Sequence, residues 1–78
     1  MKSVTIYTTP TCVYCKMAKE FFKKNNVEYQ ELDVANDDAA REAMIQKSHQ
    51  MGVPVIDVGG EIIVGFDRTE LERALGLK

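Results

Sequence analysis

The sequence predicts a single α/β domain whose elements follow the order βαβαββα. A strand-like segment leads into a helix-like one at residues 3–24, and two short apolar segments flank a pair of glycines in the second half. A chain of 78 residues is long enough for one hydrophobic core but leaves little material for a second. We therefore expect one domain covering residues 1–78.

The first half of the chain supplies two strands and a helix. Strand one is predicted at Ser3 to Thr8, where Val4 and Ile6 alternate with their neighbours. Helical periodicity follows from Lys16 to Lys24, and we expect this helix to carry the cysteines at its head. Strand two is predicted at Val27 to Val34. The helix has an apolar stripe that we expect to lie in the core, formed by Met17, Ala18, Phe21 and Phe22. Asn25-Asn26 tolerates the left-handed backbone of a helix end.

A second helix is expected to begin at Asn36 as its N-cap and to end near Gln50. Two aspartates follow Asn36, and negative charge suits the positive end of a helix. We expect Ala40 and Met44 on the inner face of this helix, with Ala43 as a further candidate. His49 is then expected at its exposed end, where it has no catalytic role.

The last three elements are a hairpin and a helix. Strands three and four are predicted at Val55 to Val58 and Glu61 to Val64, because Gly59-Gly60 between them accepts the positive φ angles of a tight turn. Asp67, followed three residues later by Glu70, resembles a capping box at the start of helix three. The inner face of that helix is formed by Leu71, Ala74 and Leu75.

Composition excludes several classes of partner. The formal net charge is only −2 and both signs are interspersed, which argues against a nucleic-acid surface. No apolar run approaches the ~18 residues of a membrane span. The N-terminus Met1-Lys2-Ser3-Val4 leads directly into a strand, so no signal peptide is visible and a cytoplasmic location is expected.

The two cysteines of the chain, Cys12 and Cys15, stand in a C-x-x-C motif at the strand-to-helix junction. A cysteine in the first helical turn meets unsatisfied N–H groups and the positive end of the helix dipole, both of which favour the thiolate. We expect Cys12 to be the nucleophile, with the amides of Tyr14 and Cys15 donating to its sulfur. Cys15, one turn further on, is expected to be the resolving thiol in disulfide exchange.

The two cysteines have other possible roles. Two buried cysteines are sometimes only small apolar side chains, although this spacing at a helix start disfavours that interpretation. A zinc site is not expected, because four ligands are usual and His49 is the only histidine. A cluster shared between two chains remains open.

Pro54 follows Val53 at the entrance to strand three. A C-x-x-C motif between strand and helix, followed by a β-hairpin, resembles the thioredoxin superfamily. The resemblance implies the thioredoxin fold, with a four-stranded mixed sheet flanked by three helices. It also implies that the Val53–Pro54 peptide is cis and that its loop faces the cysteines.

Within that superfamily the whole chain is similar to the glutaredoxins. Cys12-Val13-Tyr14-Cys15 matches the family's C-P-Y-C with valine for proline, and Gly52-Val53-Pro54 matches its T-V-P. The family's G-G-x-D-D corresponds to Val64-Gly65-Phe66-Asp67-Arg68. Two departures are Thr9, where many members have a basic residue, and Arg68 in place of the second aspartate. Gly65-Phe66 resembles the step found in NrdH-like redoxins.

The resemblance implies a binding site for glutathione, which would act as a co-substrate and not as a tightly bound cofactor. The Val53 main chain, next to Pro54, would pair with the cysteine part of a bound thiol, and Tyr14 would flank the site. The γ-glutamyl end would meet Gly65, Phe66 and Asp67, and the glycine end would meet Gln50. Each of Tyr14, Asp67 and Gln50 also has a purely structural interpretation, as packing, N-cap or solvated helix end.

Three functions from different classes follow. The favoured one is a monomeric dithiol oxidoreductase that reduces protein or glutathione mixed disulfides, with glutathione or thioredoxin reductase as electron source and disulfide proteins such as ribonucleotide reductase as partners. The second is an iron-sulfur carrier in which Cys12 of two chains and glutathione bridge a cluster. The third is a non-catalytic binding module with the same fold.

Overall fold

A computed structural model of the chain describes residues 3–77; Met1, Lys2 and Lys78, which the predicted domain includes, lie outside the described residues. Seven elements follow the predicted order. They are β1 (Val4–Thr8), α1 (Val13–Lys24), β2 (Gln30–Asp33), α2 (Asp38–Ser48), β3 (Val55–Val58), β4 (Glu61–Val64) and α3 (Arg68–Leu75).

The four strands form one mixed sheet in the order β2-β1-β3-β4. β1 pairs parallel with β2 and antiparallel with β3, so that Tyr7 lies opposite Leu32 on one side and Val55 on the other. β4 pairs antiparallel with β3. The ends of β1, β2 and β4 and the start of β3 therefore lie at the same end of the sheet. The predicted thioredoxin fold is confirmed.

The core has two parts, one on each face of the sheet, because successive strand residues point to opposite faces. On one face α1 and α3 pack on the sheet, and the fully buried Phe22 ring lies 5.2 Å from Tyr29 and 6.1 Å from Phe21. On the other face α2 contributes Ala40 and Met44, which pack with Tyr7, Val34 and Val55. Burial of both faces fixes the register of the strands.

Two predicted backbone features are confirmed. Gly59 and Gly60 have φ angles of 59° and 99°, the signs that a two-residue hairpin turn requires. Asn26 has φ 57° after the end of α1, where asparagine is among the few residues that adopt this conformation at little cost.

Two predicted boundaries were wrong. The N-cap of α2 is Asp37, whose carboxylate accepts from the Ala40 amide at 3.0 Å, and not Asn36. Asn36 instead donates from its side chain to Asp33, which holds it in the preceding turn. β2 is also shorter than Val27 to Val34, since the Val27 amide donates to the carbonyl of Phe22 and this segment wraps the end of α1 before pairing begins.

Met17 was also expected in the core, but its side chain is 42% exposed. Successive residues of an α-helix are rotated by about 100°, which places Met17 beyond the edge of the face that Ala18 and Phe22 bury. His49 is exposed, as expected, and ends α2 in the left-handed conformation with φ 60°.

Lys47 connects α2 to the sheet through polar contacts. Its ammonium donates to the Tyr7 hydroxyl at 3.1 Å and to the Asp57 carboxylate at 3.0 Å. The hydrogen bond to Tyr7, followed by that to Asp57, raises the pKa of Lys47. A raised pKa in the folded state means that this contribution to stability is complete at neutral pH and is lost only as the pH rises through that value. The group is partly exposed, so the contribution is small.

We predict that Met44→Ala lowers the free energy of unfolding by about 2–5 kcal/mol, because it leaves a cavity under α2. Met44 is 1% exposed, whereas Met51 is 69% exposed and provides the matched control. Met51→Ala is expected to change stability by less than ~0.5 kcal/mol. Urea denaturation measures both, and equal losses would contradict the assignment of Met44 to the core.

Candidate active site

Cys12 is the N-cap of α1 and has an extended backbone conformation, with φ −84° and ψ 112°. A short turn separates it from the end of β1, and its amide donates to the carbonyl of Thr9 at 3.3 Å. Its own carbonyl accepts from Lys16 at 3.3 Å, the first bond of the helix. The predicted position at the head of the helix is confirmed, and its sulfur lies beside the free N–H groups of the first turn.

Cys15 lies in the first turn of α1, and its amide donates to the Cys12 sulfur at 3.1 Å. This is one of the two donors expected there. The two cysteines are joined as a disulfide, with their Cα atoms 5.2 Å apart. Cys15 is fully buried, whereas Cys12 is half-buried. An external thiol or disulfide therefore reaches the sulfur of Cys12 first.

Thr8 contributes to this site, although no sequence pattern distinguishes it. It is the last residue of β1 and is buried, with its hydroxyl donating to the Thr9 carbonyl at 3.3 Å. That carbonyl also accepts the Cys12 amide, so the two donors together hold the turn that presents Cys12. The run of threonines around Pro10 was the available signal, but a strand pattern does not reveal which hydroxyl is buried.

Pro54 lies immediately before β3, at the same end of the sheet as the cysteines. The Val53–Pro54 peptide is cis, as predicted. The Pro54 carbonyl accepts from the Gly65 amide at 2.8 Å, which links the start of β3 to the end of β4. Among residues 3–77, neither the N–H nor the C=O group of Val53 has a hydrogen-bond partner. The main chain at Val53 therefore has a free donor and a free acceptor.

The segment after β4 ends at the N-terminus of α3. Gly65 has φ 82°, and the ring of Phe66 packs edge-on against Phe21 at 6.0 Å, half-buried against the core. Asp67 is exposed and is the N-cap of α3, accepting from the Glu70 amide at 3.2 Å. The expected capping box is one-sided, because the Glu70 carboxylate accepts from Arg73.

Gln50 lies in the loop between α2 and β3, and its side chain faces that loop. Its oxygen accepts from the Gly52 amide at 2.7 Å, and its nitrogen donates to the Gly52 carbonyl at 3.0 Å and to the Ser48 hydroxyl at 3.3 Å. Sequence reasoning placed Gln50 near the site but gave no indication that its polar atoms bond to the loop itself.

Several large apolar side chains are exposed at this end of the molecule. Tyr14 is 62% exposed in the first turn of α1, beside the cysteines. The others lie on α1, in the loop before Pro54 and at the end of β4; they are Val13, Met17, Met51 and Val64. We call these five residues the apolar rim. We expect a partner molecule to contact these exposed apolar side chains.

No helix in residues 3–77 combines the length and apolar character needed to cross a membrane. The same range holds no group of three or more His, Cys, Asp or Glu side chains placed to bind a metal ion.

Comparison with known proteins shows which family this chain resembles. The family model described as Glutaredoxin matches residues 4–63. A relative from Clostridium pasteurianum, an uncharacterized glutaredoxin-like 8.6 kDa protein in a rubredoxin operon, is 44% identical over 72 residues, which cover 92% of this chain and 96% of the relative.

Two solved structures are similar to this fold. The crystal structure of a mutant of the thioredoxin-like protein BC3987 has a TM-score of 0.92 at 36% identity, and all of both chains is covered. The buckwheat glutaredoxin-glutathione complex has a TM-score of 0.76 at 26% identity, covering 96% of this chain and 71% of that one.

We predict that iodoacetamide modifies the reduced protein almost only at Cys12 at neutral pH, because Cys15 is buried and the helix N-terminus favours the Cys12 thiolate. Peptide mapping by mass spectrometry identifies the modified residue. The rate should reach half its maximum at a lower pH than for free cysteine. Equal labelling of both cysteines would contradict the unequal exposure.

Proposed function

Since the chain belongs to the glutaredoxin family and is a thiol-disulfide oxidoreductase, we propose that it reduces protein or glutathione mixed disulfides through Cys12 as nucleophile and Cys15 as resolving thiol. The observation that carries the proposal is the unequal exposure of the two sulfurs at the start of α1. One sulfur is accessible, and the other is buried within bonding distance of it.

The reaction consists of two exchanges. The Cys12 thiolate attacks one sulfur of a substrate disulfide, forming a mixed disulfide and releasing the other substrate sulfur as a thiolate. The Cys15 sulfur, as its thiolate, then attacks the Cys12 sulfur, forms the Cys12–Cys15 disulfide and releases the second substrate thiolate. Two electrons pass to the substrate, and two molecules of glutathione or a reductase return them.

Two features support the role of the N-cap position in this chemistry. The Cys15 amide points at the Cys12 sulfur, and the first-turn N–H groups stabilise negative charge there. When the disulfide is reduced, the same donors favour the Cys12 thiolate over the thiol. No histidine or carboxylate is required, since a thiolate needs no general base.

We assign the Val53 main chain to binding the cysteine part of the substrate. Its free N–H and C=O groups lie where β3 begins, and a substrate main chain would add one rung to the sheet there. Pro54 fixes the direction of this edge, and Tyr14 of the apolar rim flanks the sulfur.

Glutathione is proposed as co-substrate, with its γ-glutamyl end at Gly65, Phe66 and Asp67. Free N–H groups at the start of α3 suit a carboxylate there, and Asp67 has a second carboxylate oxygen for the substrate amine. The solved complex of a glutaredoxin with glutathione supports this choice of co-substrate.

A second electron donor, thioredoxin reductase, is favoured by the apolar rim. A tripeptide such as glutathione is too small to cover all five side chains, whereas a protein partner buries them together. Arg68 replaces the family's second aspartate, so the chain has one carboxylate fewer for the amine of glutathione. The Arg68 guanidinium instead lies over the Phe21 ring, 5.9 Å from its centroid.

We further propose that the protein acts in the cytosol as a monomer. The reducing thiol pool of that compartment keeps a C-x-x-C pair ready to react. The radius of gyration is 11.4 Å, close to the ~11.5 Å of a single compact domain of this length. The core thus closes within one chain.

We predict that Cys12→Ser abolishes disulfide reduction, whereas Cys15→Ser still attacks and accumulates the mixed disulfide because nothing resolves it. Mass spectrometry after incubation with oxidised glutathione distinguishes the two: one glutathione adduct on Cys15→Ser and none on Cys12→Ser. Full activity of Cys12→Ser would overturn the assignment.

The electron donor is tested by supplying NADPH either with glutathione and glutathione reductase or with thioredoxin reductase. Turnover with glutathione is expected if Gly65, Phe66 and Asp67 bind its γ-glutamyl end. Turnover with thioredoxin reductase alone would favour the second donor and remove the proposed glutathione contacts. The Cys12→Ser variant provides the background rate in both assays.

A further inference from the structure

The loop from His49 to Val53 ends in the main chain that we assign to the substrate, the free N–H and C=O groups of Val53, which we call the Val53 edge. This loop belongs to no helix or strand. Such a segment lacks the hydrogen bonds of a helix or sheet, so other groups must hold its conformation. The side chain of Gln50 supplies them, since its carboxamide bonds to both main-chain groups of Gly52, the residue immediately before Val53.

Every hydrogen of the Gln50 carboxamide is used within the protein. One N–H donates to the Gly52 carbonyl at 3.0 Å and the other to the Ser48 hydroxyl at 3.3 Å, while the oxygen accepts from Gly52 at 2.7 Å. A carboxamide has only two hydrogens to donate. The glycine end of glutathione is a carboxylate, which needs donors, and Gln50 has none left.

We propose that Gln50 is a positioning residue, which holds Gly52 and thereby the Val53 edge in place for the substrate, and not a ligand of glutathione. The inference rests on the proposed function, because the edge that it positions is the one assigned to the substrate main chain. It replaces the expected contact between Gln50 and the glycine end.

Gly52 completes the arrangement. A Cβ atom built on Gly52 would lie 2.8 Å from the Gln50 oxygen, closer than a real Cβ contact allows. A side chain at position 52 would therefore displace the carboxamide. This chain has glycine where the family's T-V-P has threonine, and the glycine is what lets the carboxamide approach the main chain.

Two side chains of the loop are exposed, those of His49 and Met51, and Met51, at 69%, is the large apolar one. With the carboxamide bonded to the main chain of its own loop, a substrate lying over Met51 meets a thioether and not a free amide. The apolar side chain suits a protein disulfide better than a free glycine carboxylate, and Met51 belongs to the same apolar rim as Tyr14.

The test compares the rates at which the reduced protein reacts with three disulfides. Oxidised glutathione has a main chain and a glycine carboxylate, its diethyl ester at the glycines has the main chain alone, and bis(2-hydroxyethyl) disulfide has neither. Gln50→Ala is expected to slow the first two equally, by about tenfold, the effect of losing an ordered edge and its hydrogen bonds, and to leave the third unchanged. Gln46→Ala, on the exposed side of α2, is the matched control and should not change any rate.

Other results would overturn the proposal. A loss confined to oxidised glutathione would identify Gln50 as a ligand of the carboxylate. No loss with either glutathione compound, or an equal loss with all three disulfides, would show that Gln50 does not act through the Val53 edge.

A double-mutant cycle isolates the contact with Gly52. Gly52→Ala is expected to reproduce the loss seen in Gln50→Ala, because its methyl group displaces the carboxamide. In the Gln50→Ala background the same change should cost nothing more, so that the two effects are not additive. Additive effects would contradict the contact.

The pair of hydrogen bonds between the Gln50 carboxamide and Gly52, which we call the clamp, is tested without any reaction by hydrogen exchange of the Gly52 amide. NMR should show exchange at least about tenfold faster in Gln50→Ala than in the wild-type protein, because the amide loses its acceptor. An amide that exchanges equally fast in both would overturn the clamp. If the wild-type protein reacted with no disulfide while this protection was present, the proposed function would fail and the clamp would stand.

Discussion

The position of β1 between a parallel and an antiparallel neighbour decides where this protein can do chemistry. The parallel pair brings the ends of β1 and β2 together, and the antiparallel pair returns β3 to the same place. Cys12, Val53 and Gly65 are far apart in sequence but follow or precede strands that meet at one end of the sheet. Both faces of the sheet are buried, so any shift of register that moved the site would also expose core side chains. The packing of the core therefore holds the site in place.

The site depends on main-chain groups more than on side chains. The sulfur of Cys12 accepts a hydrogen bond from the Cys15 amide, and the Thr9 carbonyl accepts two hydrogen bonds. The N–H and C=O groups of Val53 have no partner within the described residues. Groups of this kind are present in every sequence, and only the fold orients them. This explains why the chain needs so few distinctive residues for redox chemistry and why loops without regular structure must be held in place.

The sequence was sufficient to predict what local patterns control. Alternation, helical spacing and Gly59-Gly60 identified all seven elements, and the C-x-x-C motif identified the reactive end. The errors arose where a choice depends on distant contacts. Asn36 and Asp37 are both good N-caps, and only the competing bond to Asp33 decides between them. The bonding of the Gln50 side chain to Gly52 likewise depends on loop geometry that no periodicity encodes.

The hairpin turn at Gly59-Gly60 lies at the opposite end of the sheet from the cysteines. Space around the Gly60 Cα is open, since a Cβ there would have no atom within 4 Å outside its own neighbours. Added residues at this turn would extend away from the sheet and leave the ends that meet near Cys12 where they are. A fused domain or a fluorescent reporter inserted at this turn is therefore expected to leave the arrangement of Cys12 and Cys15, at the other end of the sheet, unchanged.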